Sequence, residues 1–137
     1  MALAGYSGTP LAKKLGIKEG MVIRMVNPPD DYTSLFTDLP KDLVFTNDAT
    51  TNKQMVHYFT KDIAELANDI VALRQEVFPN GTIWISWPKK AAKIPCNITE
   101  DDIRQLALAN GLVDVKVCAV SDIWSGLKLV VPVKDRK

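Results

Sequence analysis

Three short apolar runs constrain this chain more than anything else in it: "MVIRMV" from Met21, "QMVHYFT" with its strand core at Met55–Phe59, and "TIWISW" ending at Trp87. Each has few or no polar interruptions, as strands buried on both faces do. Between the second and third, Ile63, Leu66, Ala67, Ile70, Leu73 and Val77 recur at helical spacing. Thr60 is read as the cap of that helix, and "PNG" at Pro79–Gly81 as its stop. After the third run, "NITEDDIRQLALANG" is a second marked helix. Thr99 and Asp102 make a capping-box pair, acids fill the first turn, and Gly111 follows the end. Apolar strands alternating with helices predict an α/β fold: a three-layer, Rossmann-like, mainly parallel sheet with helices on both faces.

The flanks complete the architecture. "GTPLAKKLG" predicts a short N-terminal helix over about 9–16, with Thr9 as cap, Pro10 at the first helical position and Gly16 closing it. Pro28 and Pro29 end the first strand. A weak helix over Asp31–Asp38 and a short strand at Leu43–Thr46 follow. At the other end, "VDVKVCAV" alternates, "SDIWSG" turns, and "LKLVVPV" pairs back as a hairpin that brings one antiparallel strand to the edge. Right-handed crossovers then favour six strands in the order 2-1-3-4-6-5. The topological switch lies between "MVIRMV" and "QMVHYFT", where open sheets bind ligands outside the carboxyl ends of their strands. The 137 residues read as one domain over 1–137, with a frayed tail after 133.

Composition excludes several functions. The net charge is +1, so no global field recruits nucleic acid or an anionic membrane, and neither is expected as a partner. No apolar stretch approaches the roughly 20 residues that span a bilayer, and no basic start precedes an apolar leader, so a cytoplasmic protein is expected. Cys96 and Cys118 lack the spacing of a redox or zinc motif. Cys118 reads as a small buried residue, and no metal is expected. Walker, Gly-x-Ser-x-Gly and His-Glu-x-x-His patterns are absent. A methyltransferase or dinucleotide enzyme needs glycine after its first strand, so that backbone amides reach the cofactor. Here that position reads "VNPPDD". No cofactor is therefore expected, and the reading leans away from an enzyme.

The residues left to carry chemistry sit at strand ends. Lys89, Lys90 and Lys93 follow the third run and could neutralise a phosphate or carboxylate, with Trp87 as a stacking wall; a solvated loop is the plainer account. Asn27 and Lys61, with Thr60, end the neighbouring strands and could face the same crevice, or be a turn residue, a helix cap and its first turn. Ser7, Gly8 and Thr9 offer an anion cradle or ordinary capping. Asp122 and Trp124 mark either a binding surface or a hairpin turn with a packed tryptophan. His57, the single histidine, reads as a satisfied core residue and cannot be half of a two-histidine metal site.

"YSGTPLAKKLGIKEGM", "WISWPKKAA", "LVDVKVCAV" and "WSGLKLV" together resemble an uncharacterised bacterial family, domain of unknown function 3052 or close kin, from Tyr6 to about Val131. The resemblance implies a small Rossmann-like protein. It adds weight to Trp87, Pro88, Lys89, Lys90, Trp124, Ser125 and Gly126, and supplies no catalytic residue. The strand order likewise resembles the second half of Rossmann-like methyltransferases. The expected role is non-enzymatic binding of a small anionic ligand or a protein partner. The alternatives are a diverged transferase acting on an anionic substrate, and a structural or regulatory subunit that associates through its edge hairpin.

Overall fold

The computed structural model describes residues 10–36, 39–48 and 52–136. Ser7, Gly8 and Thr9, the candidate cradle and cap, lie outside the described residues. Helix α1 (Leu11–Leu15) is followed by strand β1 (Val22–Val26), a single 3-10 turn at Tyr32–Leu35, and strands β2 (Val44–Thr46) and β3 (Lys53–Phe59). Helix α2 (Ile63–Glu76), strand β4 (Val77–Pro88), a 3-10 turn at Lys90–Ala92 and helix α3 (Glu100–Ala109) come next. The hairpin of β5 (Val113–Ala119) and β6 (Trp124–Val130) ends the sheet. The strand order is β2-β1-β3-β4-β6-β5, as expected. β1 to β4 run parallel, and β6 pairs antiparallel with both β4 and β5. The antiparallel strand is thus the inner member of the hairpin, and β5 is the edge.

Two cores sandwich the sheet. On one face, α2 and α3 press Leu66, Ile70, Leu73, Ile103 and Ala107 onto the inward residues of β3, β4 and β6, among them Val56, Ile83, Ile85, Leu127 and Leu129. On the other, α1 and the segment after β1 cover Ile23, Met55 and Trp84. α1 is held by more than its Leu11 and Leu15 stripe: the Trp84 indole N–H donates to the Leu15 carbonyl at 2.9 Å. Gly16 ends the helix at φ 83, in the left-handed region that glycine enters without penalty.

Local chemistry moves several boundaries. Pro10 is the N-cap of α1 and not its first helical residue. Asp62, not Thr60, caps α2, because its carboxylate reaches the Ala64 N–H at 3.0 Å while the Thr60 hydroxyl donates to Glu65 at 2.6 Å. α2 ends at Glu76, and Val77 already pairs with Lys53 as strand. Pro79–Gly81 interrupt β4 without ending it: its register with β3 jumps between Lys53–Val77 and Met55–Thr82. A Cβ at Gly81 would lie 3.0 Å from the Phe78 carbonyl oxygen, so only glycine lets this irregularity pack so tightly. Of the weak helix placed over Asp31–Asp38, the described part holds a 3-10 turn at Tyr32–Leu35, and residues 37–38 lie outside the described residues. The short strand opens at Val44, β3 begins two residues earlier than Met55, and the alternating run's Cys118 is half-buried. The capping box of Thr99 and Asp102 is present as read.

Candidate functional site

The carboxyl ends of the strands carry two separate clefts. The first, about 440 Å³, lies at the switch point between β1 and β3 and is walled by Asn27, Pro28, Pro29, Phe59, Lys61 and Trp124. The second, about 860 Å³, lies beyond the end of β4, over Trp87, Pro88, Ile94 and Ile98, with Lys89, Lys90 and the first residues of α3 at its edge. Asn27 and Lys61 therefore share one cleft; Trp87, Lys89 and Lys90 share the other; the structure does not bring the six candidates together. Lys93 closes the 3-10 turn in the left-handed region at φ 55, is exposed, and lines neither.

The switch-point cleft is stitched across its base. Asn27 has φ 54, which aims its side chain over β3, where the amide donates to the Phe59 carbonyl at 3.3 Å and approaches Glu65 at 3.5 Å. The next two residues are prolines and offer no N–H to a ligand. Below the floor lies a buried polar set. His57 meets Tyr32 Oη at 3.0 Å through Nδ1 and Ser86 Oγ at 2.8 Å through Nε2, and stacks on Phe59 at 4.2 Å. Burial pushes His57 down to about 3, so its ring is neutral at ordinary pH. Both nitrogens are partnered and the side chain is fully enclosed: this is the core histidine the sequence suggested.

The larger cleft is more open and mixed in charge. Its apolar base comes from Trp87, which is buried in the α2/α3 core and shows only an edge, and from Ile98. Asn97 fixes the loop that forms one wall. It takes the Ile63 N–H on its side chain at 3.0 Å, and its own N–H donates to the Lys61 carbonyl at 3.0 Å. At the start of α3, Glu100 and Asp101 both pair with Arg104, which also reaches Asp114 at 3.0 Å. Those bonds hold the Arg104 guanidinium above its usual range. The α3 N-terminus already has its acids and a filled capping box, so the anion-attracting groups here are Lys89 and Lys90.

Sequence reasoning missed Glu100 and Asp101 as cleft residues, and pointed to Ser125 only through the family resemblance. The acids read as helix-capping charges, and Ser125 reaches the site only by pairing with Trp87 across β4 and β6. Trp124 opens β6 and packs edge-on against Phe59 at 5.1 Å, while Asp122 is exposed in the turn. Gly126 makes room underneath: a Cβ there would lie 3.1 Å from Val120 and 3.2 Å from the Trp84 ring.

A family model described as protein of unknown function (DUF3052) matches residues 12–133. The chain belongs to that family. No curated protein matches the DUF3052 chain by sequence. Its fold is that of S-adenosylmethionine-dependent methyltransferases. It is similar to a SAM-dependent methyltransferase from Aquifex aeolicus at TM-score 0.63 and 14% identity, over 88% of each chain. Magnesium protoporphyrin IX methyltransferase from Synechocystis, with bound SAM, matches at 0.56 and 12%, over 88% of this chain and 74% of that one. A possible exported protein from Bordetella parapertussis matches at 0.61 and 10%, over 90% of this chain and 66% of its own, just under two thirds. At these identities the likeness is one of fold. No helix among the described residues of the DUF3052 chain is long and apolar enough to cross a membrane.

Proposed function

We propose that this DUF3052 protein binds, without chemical turnover, a small molecule with an apolar body and an anionic group, in the cleft beyond β4 and in a cytoplasmic setting. The observation that carries the reading is the roughly 860 Å³ cleft that sets two lysines at the edge of an apolar floor. The Trp87 edge and Ile98 take the body, and Lys89 and Lys90 take the charge. Glu100 and Asp101, which also line the cleft, disfavour a second anionic group on the ligand.

The fold neighbours raise S-adenosylmethionine as a cofactor, and the turn after β1 does not fit it. Pro28 and Pro29 lack amide donors, and the Asn27 side chain spans the seam where backbone would have to approach the ligand. The alternative reading, a diverged transferase acting on an anionic substrate, draws its support from fold alone.

Thermal-shift titration with a panel of aromatic and aliphatic monocarboxylates and monophosphates tests the proposal. At least one should raise the melting temperature, and Lys89→Ala with Lys90→Ala should remove the gain. A panel without any lysine-dependent shift sinks it. S-adenosylmethionine should give no heat in calorimetry at micromolar protein; stoichiometric binding would return the transferase reading to first place.

A further inference from the structure

A second basic surface lies away from both clefts, on the α1 face near the hairpin edge. Lys116 of β5 stands directly opposite Lys128 of β6. Like charges in that position repel, so the hairpin carries a local cost. A bulge at Val115 creates the pair. Asp114 is opposite Leu129 and Lys116 opposite Lys128, so one residue is skipped and the side-chain alternation reverses. Asp114 therefore turns to α3 and Arg104, and Lys116 to the other face. Lys128 is also opposite Trp84, whose indole holds the end of α1, and this brings Lys14 and Lys18 towards the pair. The charges are felt there: burial, then Lys116 and Lys18, lower the Lys128 ammonium from its usual range. Burial raises the half-buried Cys118 thiol, against the pull of Lys14, Lys116 and Lys89. Among the described residues, none of Lys14, Lys18, Lys116 and Lys128 takes part in an ion pair with a carboxylate. The nearest acid in sequence, Glu19, sits on the exposed loop beside Lys18 and pairs with none of them.

We propose that this corner is a docking surface for an acidic, extended segment of a partner protein, which adds to the open edge of β5 and lays its carboxylates along Lys116, Lys128, Lys14 and Lys18. Three features select that occupant. Among the described residues, β5 is the last strand of the sheet, so one side of its backbone has no strand partner. Val117, 47% exposed, lies on the face opposite Lys116, and Val115, 52% exposed, sits at the bulge, so an added strand meets apolar contacts as well as charge. Among the described residues, the corner has no exposed aromatic ring on which a nucleic-acid base would stack, since Trp84 is fully buried and Trp124 packs on Phe59. A second copy of the chain is the wrong partner, because two-fold pairing at this edge would set one lysine cluster against another.

Fluorescence anisotropy with a labelled twelve-residue peptide of alternating Glu and Val tests this. The peptide should bind, and binding should weaken as salt rises. Lys116→Glu with Lys128→Glu should weaken it at least tenfold, in a protein whose melting temperature shows that it is folded. The same peptide N-methylated at every second residue keeps its charge and loses its ladder, and should also bind at least tenfold more weakly. Binding unchanged by the double variant overturns the lysine assignment. Equal binding of the N-methylated peptide overturns strand addition, and tighter binding of a single-stranded oligonucleotide of equal length overturns the choice of partner.

Discussion

The two faces of the sheet are held down by different means. Under α2 and α3 the contact is aliphatic and continuous, from Leu66 and Ile70 across to Leu127 and Leu129. Its charges sit at the margins: Glu76 takes Arg24 at 2.5 Å and Lys53 at 3.6 Å, and Tyr58 donates to Asp69 at 2.6 Å. Under α1 the helix has five residues, and among the described residues between β1 and β3 there is a 3-10 turn and no α-helix. That face is closed by directed bonds: Trp84 to Leu15, Tyr32 to His57, His57 to Ser86. A face with two long crossover helices can rely on area. One covered by a short helix and turns needs polar groups with fixed partners, and those partners make it sensitive to pH and to single atoms.

Trp84→Ala should break the contrast most severely. It empties the centre of the α1 face and frees the Leu15 carbonyl, for a loss of about 3–5 kcal/mol in denaturant melts. Hydrogen exchange should show α1 released. Glu76→Ala should cost a similar 3–5 kcal/mol, since it removes the buried carboxylate that Arg24 meets at 2.5 Å. Here α1 should keep its protection. Ile103→Ala, on the aliphatic face, should cost about 2–5 kcal/mol with no change in pH dependence.

His57 supplies the pH test. In the unfolded chain it takes a proton below about 6.5, and in the folded protein only near 3. Between those values the unfolded state binds more protons, so stability present above 6.5 is lost as pH falls towards 3. The slope is about 1.4 kcal/mol per pH unit. Chemical melts of the native protein and of His57→Gln should differ by that slope and converge in form above neutrality. The smallest effect is a gain: Lys116→Glu turns a repulsive cross-strand pair into an attractive one and should add roughly 0.2–1 kcal/mol. A loss there would mean that Lys116 and Lys128 do not face each other in solution.

The same contrast explains what could be read from the sequence. Apolar periodicity and the Thr99–Asp102 box announced the aliphatic face, because area and helix ends leave a local pattern. The strand order followed from the sequence of elements and the hand of crossovers. Directed bonds leave no such trace: nothing near Tyr32 says that it will meet a histidine 25 residues away. "VDVKV" alternates as if Val113, Val115 and Val117 shared a face, and the bulge that undoes this is a feature of pairing, not of composition. The lysines after Trp87 looked like one group because they are neighbours in sequence. A 3-10 turn then sends Lys93 away from the cleft that Lys89 and Lys90 line. "PNG" was a true break in regularity, but the chain around it had already become strand.

The bond from Trp84 to the Leu15 carbonyl joins residues 69 apart. Closing a loop of that length costs entropy before any contact returns it, so α1 cannot dock until β4 is in place. Although it leaves the ribosome well before β4, α1 is therefore among the last elements to find its seat. In refolding, the Trp84 environment should report a late step, after α2 and α3 have gathered the other face. A nascent chain arrested before β4 would hold α1 exposed.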